Sequence, residues 1–575
     1  MKTAGTSAKN QPLRVALLGS GTLAHAPELL SERCAAHDLD VQWHVVPYQQ
    51  YQQEALNPKS GFYAFGPDLI IVMVEAKAVL EPQSDAPYRL SQAGRKCWAR
   101  EAANTLTGLV DALLKRARGI ILLHNLEVPT DSPIGILETK QAFGFHEVVR
   151  WVNQQLVRRY AEHPQVFVFD YDGFLSRVGK EQAHDERLAY LADMALAPSV
   201  WRQLGDEYAR YLLAMQGRTK KCLVLDLDNT LWGGILGEDG FDGIQLGTTP
   251  LGMAFVAFQR HLLALFERGI LLAINSHNHA PEALAVIRKH PAMVLREKHF
   301  AAMAINWEDK AKNLRAIAEE LNLGLESLIY VDDDPSQRWL ISRQAPEVSV
   351  VDLPPDPSQY VRALTRQVGF DALQLTAEDQ RRGAMYIAER RRQALQRRLP
   401  SLDEFLAQLK IRVRVRKADR FSLPRLAQLT QRTNQFHLTL ERYTEAELAK
   451  WLNQSDHQLY AIEVADRFGD QGISGAVGIR RSNSHWGIPL FLLSCRVLGK
   501  GVERAVLGTL IRWAKEDAVE ELRCGYVPSD KNTPARRFLE EAGFSCVQKD
   551  RSLQSWRLEL GHAPAVPAFV DVVTA

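Results

Sequence analysis

The chain has 575 residues, 46% of them hydrophobic and 24% charged, with a formal net charge of +2. That length exceeds one ordinary core and predicts roughly three to four domains of a soluble globular protein. The near-neutral charge excludes bulk nucleic-acid binding. No apolar run reaches the length of a membrane span, and six scattered cysteines without a C-x-x-C pair exclude a zinc site or disulfide framework. A reduced, cytoplasmic protein is the expectation.

Residues 12–218 form the first territory. The runs 14–19, 68–74, 119–123 and 166–170 are short and aliphatic or β-branched, and helical stretches such as 102–118 lie between them. Strands alternating with helices predict a parallel sheet covered on both faces. The stretch 15–24 follows basic residues as a signal peptide would. Its Gly19-Ser20-Gly21 interruption reads instead as a strand entering a glycine turn. The predicted strand ends carry Ser20, Asn125 and Asp170, with His184-Asp185 further on. This layout resembles a flavodoxin/SGNH-like domain. Ser20 lies in G-S-G rather than G-D-S, and the closing D-x-x-H is missing, so a scaffold or docking role is expected.

Residues 219–365 form the second territory. The segment 222–240 reads CLVLDLDNTLWGGILGEDG, in which a short apolar strand ends at Asp226 and Asp228, with Thr230 beyond. Side chains at i and i+2 of a strand share a face. Two acids there suit metal-assisted phosphoryl transfer, one as nucleophile and one as proton donor, with a divalent cation quieting their repulsion. The strand 271–275 leads into Ser276, a hydroxyl for a phosphate oxygen. Lys310 opens the helix 309–321, where an ammonium can clamp phosphate. The strand 328–331 leads into Asp332-Asp333-Asp334, oxygen donors for Mg²⁺. In this order the elements resemble a HAD-like Rossmannoid phosphatase domain. The resemblance implies Asp226 as nucleophile, Asp228 as general acid/base, Thr230, Ser276 and Lys310 on the phosphate, and Asp226, Asp228, Asp332 and Asp333 on the metal.

The segment 366–399 is Arg-rich and predicts a solvated linker helix with i,i+4 pairing to Glu389, with a surface for an acidic partner as the other reading. Residues 400–561 mix strands (411–415, 460–464, 475–479, 490–494) with helices (502–515, 534–542), an α+β pattern. Arg496, Gly499 and Gly501 follow a strand and open a helix, with Asn532 at the start of the next. This resembles the pyrophosphate loop of a GNAT-like acyltransferase domain and makes these four residues candidates for holding a pantetheine arm. Cys495, directly before the loop, is the candidate thiol nucleophile: Arg496 and a helix N-terminus would favour its thiolate. Residues 562–575 read as a flexible tail.

Taken together, DLDNTLWGGILGEDG, INWEDKAKNL, VDDDP, LTQRTNQF, DRFGDQG and FLLSCRVLGKGVE resemble the motifs of FkbH-like proteins over roughly 10–560. The resemblance implies a bifunctional enzyme. It would take a glyceryl unit from 1,3-bisphosphoglycerate onto Cys495, remove the 3-phosphate through Asp226 and Mg²⁺, and load the phosphopantetheine thiol of an acyl carrier protein for polyketide or related assembly. Asp466, Asp470 and His437 are further candidates for proton handling or arm binding. The chain departs from the family's pattern at His277, where Lys is expected, and at Asp334 and His437, where Asn is expected. Two other readings of the residues stay open: a HAD phosphatase of a free metabolite, and a non-catalytic docking subunit.

Overall fold

The computed structural model describes residues 12–574, apart from 82, 375–376, 397, 434, 455, 483, 530–531, 551–552 and 563–566. The chain divides into two compact units. One runs to residue 220 and takes in 364–375; the other holds 221–363 and the chain from 376 onward. The expected second and third territories therefore form one unit, and 364–375 belong with the first.

In the first unit, β1 (Leu13–Gly19), β2 (Val41–Val45), β3 (Leu69–Met73), β4 (Ile120–His124) and β5 (Val166–Phe169) make a parallel sheet in the order β2-β1-β3-β4-β5. This is the flavodoxin-like doubly wound order. β3 reads LIIVM and is buried throughout, as a strand covered on both faces must be. Helices Gln92–Leu114 and Phe145–Tyr160 pack on one face, and Ala26–Ala36 and Pro198–Met215 on the other.

The second unit begins with another parallel sheet. β6 (Cys222–Leu225), β7 (Leu271–Ser276), β8 (Phe300–Ile305), β9 (Leu328–Val331) and β10 (Ser349–Val350) lie in the order β10-β9-β6-β7-β8. Strand order reverses between β6 and β9, so a crevice opens beyond their carboxyl ends. The remaining strands are β11 (Ile411–Lys417), β12 (His457–Asp466), β13 (Gly469–Arg481), β14 (Trp486–Leu493), β15 (Glu521–Tyr526), β16 (Ser545–Lys549), β17 (Gln554–Glu559) and β18 (Val570–Thr574). They form a mixed sheet in the order β16-β17-β15-β14-β13-β12-β11-β18. Helix Val502–Glu516 packs on it through Val502, Val506 and Leu510. The fold class is thus multidomain α/β with an α+β C-terminal part, as the sequence implies.

β14 and β15 run parallel and pair only over Trp486–Ile488 and Leu522–Cys524. Beyond that they part, and residues 436–438 fill the gap. Leu493 N donates to Phe436 O (3.0 Å), Leu438 N to Phe491 O (3.1 Å), and Val527 N to Leu438 O (2.8 Å).

Two expectations are corrected. The tail is not loose along its length: β18 pairs in parallel with β11 from Ile411↔Val570 to Val415↔Thr574, and edge pairing outweighs the Ala- and Pro-rich composition before it. The Arg-rich segment is a helix, Ala377–Gln396, but it is not simply solvated. Arg392 is 3% exposed and forks onto Asp466 (2.5 and 3.0 Å), with Glu389 at 3.0 Å. Removing one partner of a buried ion pair strands the other. We therefore expect Arg392→Ala to cost about 3 kcal/mol or more in denaturant unfolding, whereas loss of the exposed Arg412–Asp571 contact costs under about 1 kcal/mol.

Candidate active site

The crevice beyond β6 and β9 collects the acids. Asp226 directly follows β6, and its N–H donates to Val331 O on β9 (2.9 Å). Asp226, Asp332 and Asp333 can each place a carboxylate oxygen within 4.8 Å of the others. Lys310, at the first turn of helix Lys310–Glu320, reaches into the same space. It donates to Asp332 (2.6 Å) and stands 3.3 Å from Asp226 Oδ1. Most of this is buried: Lys310 is 5% exposed and Asp332 0%, while Asp333 is half-buried.

The local sequence fixes these positions. Asp309 caps the Lys310 helix by accepting from Lys312 N (2.8 Å). Asn275, at the end of β7, donates to Lys310 O (2.9 Å), and Asn313 donates to Asn275 (3.1 Å) and Asn306 (2.9 Å). This amide network locks the helix start to the strand ends. Arg338 binds the carbonyls of Asp332 and Asp333 (3.0 and 2.7 Å) and orients the acidic turn. Asp334 caps helix Pro335–Gln344 by accepting from Ser336 N (2.8 Å).

The electrostatics favour a bound cation. Burial, and then Asp332, push Asp226 up to about 7 against the pull of Lys310. Burial and Asp332 likewise push Asp333 up to about 6. Lys310, which burial would discharge, is held protonated by Asp226 and Asp332. Asp226 Oδ1 accepts no well-formed hydrogen bond although it is buried. A hard divalent ion fits this donor set. Because metal and proton compete for the same oxygens, Mg²⁺ binding should release protons and tighten as pH rises from about 5.5 to 7.5. Calorimetry in buffers of different ionisation heat measures that release.

The other candidates take varied places. Ser276 is 1% exposed and near enough to bond Asp226. Asp228 stands outside the three-carboxylate cluster. Its oxygens accept from Trp232 Nε1 (2.9 Å), Leu236 N (3.2 Å) and Asn278 Nδ2 (2.9 Å), so its side chain is not placed as a metal ligand. Thr230 is fully buried and its hydroxyl accepts from Asp333 N (3.2 Å), holding the acidic turn rather than facing a phosphate. His277 stacks on the exposed Trp307 and bonds Glu308 O (2.8 Å), outside the buried cluster. Sequence reasoning missed Asn278, Tyr330, whose hydroxyl donates to Asp332, and Asn313. Asn278 was open to discovery from its i+2 spacing to Ser276.

Cys495 lies in a turn after β14, is exposed, and lines a cavity of about 490 Å³. Arg496, Asp470, Arg390 and Glu389 line it too, as do Glu320 and Ala301. Ala301 is near the start of β8 and Glu320 is the last residue of the Lys310 helix. The Lys310 helix thus has its first turn at the acidic cluster and its last residue at the cysteine cavity, and its 11 residues span about 16 Å.

Three of the four arm-binding candidates are otherwise engaged. Gly499 and Gly501 adopt φ of 71° and 80°, as a glycine loop should. But Gly499 N donates to Glu503 (2.6 Å), so a carboxylate of the chain itself takes the N–H a phosphate would need. A Cβ on Gly501 would meet Phe569 at 3.1 Å. Asn532 is fully buried, bonding Tyr526, Ser529 N, Val527 O and His437 O. His437 is buried too, lowered to about 4 by desolvation, and tied to Glu441 O and Leu440 N. Asp466 is committed to Arg392. In the first unit, Ser20 accepts from Glu75 N (3.0 Å) while His184 pairs with Glu127 (2.9 Å). Among the described residues no hydrogen bond joins Ser20 to His184.

Residues 14–205 match the family model described as FkbH, N-terminal domain. The N-terminal part of BF1531 from Bacteroides fragilis, containing a phosphatase domain and complexed with Mg, is similar at TM-score 0.58 and 28% identity, over 63% of this chain and 95% of that one. The ribosomal-protein-S18-alanine N-acetyltransferase from Escherichia coli covers 27% of this chain and 96% of its own at 15% identity, with a TM-score of 0.21, too slight to argue from. Among curated proteins none matches. No helix among the described residues is long and apolar enough to cross a membrane. The family model thus supports the resemblance to FkbH-like proteins over residues 14–205.

Proposed function

We propose that this chain is a two-site enzyme. It removes phosphate from a three-carbon phosphoacid at Asp226 and passes the glyceryl group through Cys495 to the phosphopantetheine thiol of an acyl carrier protein. The observation that carries the reading is the assembly of buried Asp226, Ser276, Lys310 and Asp332 with half-buried Asp333, and an exposed cysteine in a separate cavity of the same unit.

In this reading Asp226 is the nucleophile. Its Oδ1, which Lys310 Nζ approaches to 3.3 Å, forms a bond to phosphorus and the ester oxygen leaves, taking a proton from Asp228. Asn278 and Trp232 hold Asp228 in place. Water, giving a proton back to Asp228, then attacks phosphorus, breaks its bond to Asp226 and releases inorganic phosphate. Lys310 and Ser276 balance charge on the transferring oxygens. Asp226, Asp332 and Asp333 would hold Mg²⁺, which supplies Lewis-acid neutralisation of the phosphoryl charge. At the second site the Cys495 thiolate attacks the acyl phosphate of 1,3-bisphosphoglycerate, forming a thioester and releasing inorganic phosphate. That mixed anhydride is already activated, so no ATP is needed. The carrier thiol then displaces Cys495.

Intact-protein mass spectrometry with 1,3-bisphosphoglycerate, with and without carrier, tests the reading. An acyl adduct on Cys495 that is discharged by carrier supports it. No adduct in any condition, with phosphate still released, would favour a phosphatase of a free metabolite.

A further inference from the structure

Beside the Cys495 cavity lies a second, more open one of about 730 Å³. Arg390 and Glu320 line both. Arg288 and Glu297 neutralise each other there at 2.5 Å. That leaves Arg296, Lys298, Arg390 and Arg391 against Glu320, a concentration of positive charge on a chain whose net charge is only +2. Lys298 and Arg391 are exposed, whereas Nη1 of Arg390 is buried without a hydrogen-bond partner. The charge belongs to two elements fixed by structure. Arg296 closes helix Ala280–Lys289 by donating to Ile287 O, Arg288 O and His290 O, each at 3.2 Å. Gly383, on the Arg390 helix, sits so close to Phe266 that a Cβ would approach its ring to 2.4 Å.

We propose that this basic groove is the docking surface for an acidic carrier protein, whose thiol-bearing arm passes Arg390 to reach Cys495. The inference rests on the transferase reading above and adds where the partner sits. Charge complementarity selects the partner, since clustered cations over a thiol cavity suit an acidic protein better than a neutral one. The geometry selects the entry. The glycine-loop side of the same domain is closed by Glu503 and Phe569, while the groove shares its wall with the cysteine cavity. An anionic phosphodiester at the base of the arm would supply the acceptor that Arg390 Nη1 lacks.

The test is Lys298→Glu/Arg391→Glu in the full chain, with an acidic, phosphopantetheinylated acyl carrier protein as probe. Carrier Kd by fluorescence anisotropy and KM for acyl transfer should rise about 10-fold or more, and wild-type binding should weaken from 50 to 300 mM salt. Acylation of Cys495 and transfer to free pantetheine, an uncharged small thiol, should stay unchanged. Carrier affinity unchanged by the double reversal, or equal loss toward free pantetheine, overturns the docking surface. Failure of the wild type to acylate Cys495 at all is read separately by mass spectrometry. That result sinks the transferase reading and this proposal with it.

Discussion

Asp226→Asn loses phosphate release by on the order of 10³-fold or more, yet its fold is at least as stable as wild type in metal-free buffer. The two halves of this expectation have one cause. The wild-type carboxylate is buried and crowded by Asp332, and its folded-state pKa of about 7 lies above the ordinary 3.8. The folded chain therefore binds a proton more tightly than the unfolded chain. Between those two values stability falls as pH rises. Asparagine keeps the shape and removes the charge, so the melting temperature should hold or rise at pH 7.5 and its decline between pH 5 and 7.5 should flatten. Asp333, pushed up in the same direction, leaves a residual slope. Added Mg²⁺ should raise the melting temperature of the wild type and do little for the variant. A variant that still releases phosphate at more than a tenth of the wild-type rate would remove Asp226 from the role of nucleophile.

Cys495→Ser abolishes the acyl-enzyme and carrier loading, while phosphate release from a small phosphoester stays within about 2-fold of wild type. The independence comes from placement. Cys495 serves the edge of the sheet where β8 begins and the Lys310 helix ends, and Asp226 the edge where that helix starts. Mass spectrometry and malachite-green phosphate detection on one preparation check both parts. Parallel loss of both activities would mean that the cysteine supports the phosphatase fold rather than carrying a chemical step.

The acidic cluster was legible in the sequence because parallel strands deliver the residues at their carboxyl ends to one edge. Asp226, Ser276 and Asp332 each succeed or end an apolar run, so their convergence needs only the sheet. Thr230 and Asp228 were harder. Their type and spacing were plain, but what their oxygens face depends on Asp333 N and Trp232. β2 was missed because VQWHV sits at an edge and is only partly buried, so it lacks an unbroken apolar run. Arg392–Asp466 and the Asn275–Asn306–Asn313 network join residues distant in the chain, and no local spacing announces them. The R-x-x-G-x-G spacing correctly indicated a glycine turn at a helix start. It could not say that Glu503, four residues after Gly499, occupies it.

That last carboxylate decides what the turn can take. Burial raises the pKa of Glu503, and the N–H of Gly499 holds the side chain in place. An incoming anion would have to displace this carboxylate before it could use the backbone N–H at the helix start. The glycine turn is thus self-capped, and its anion site is filled from within the chain.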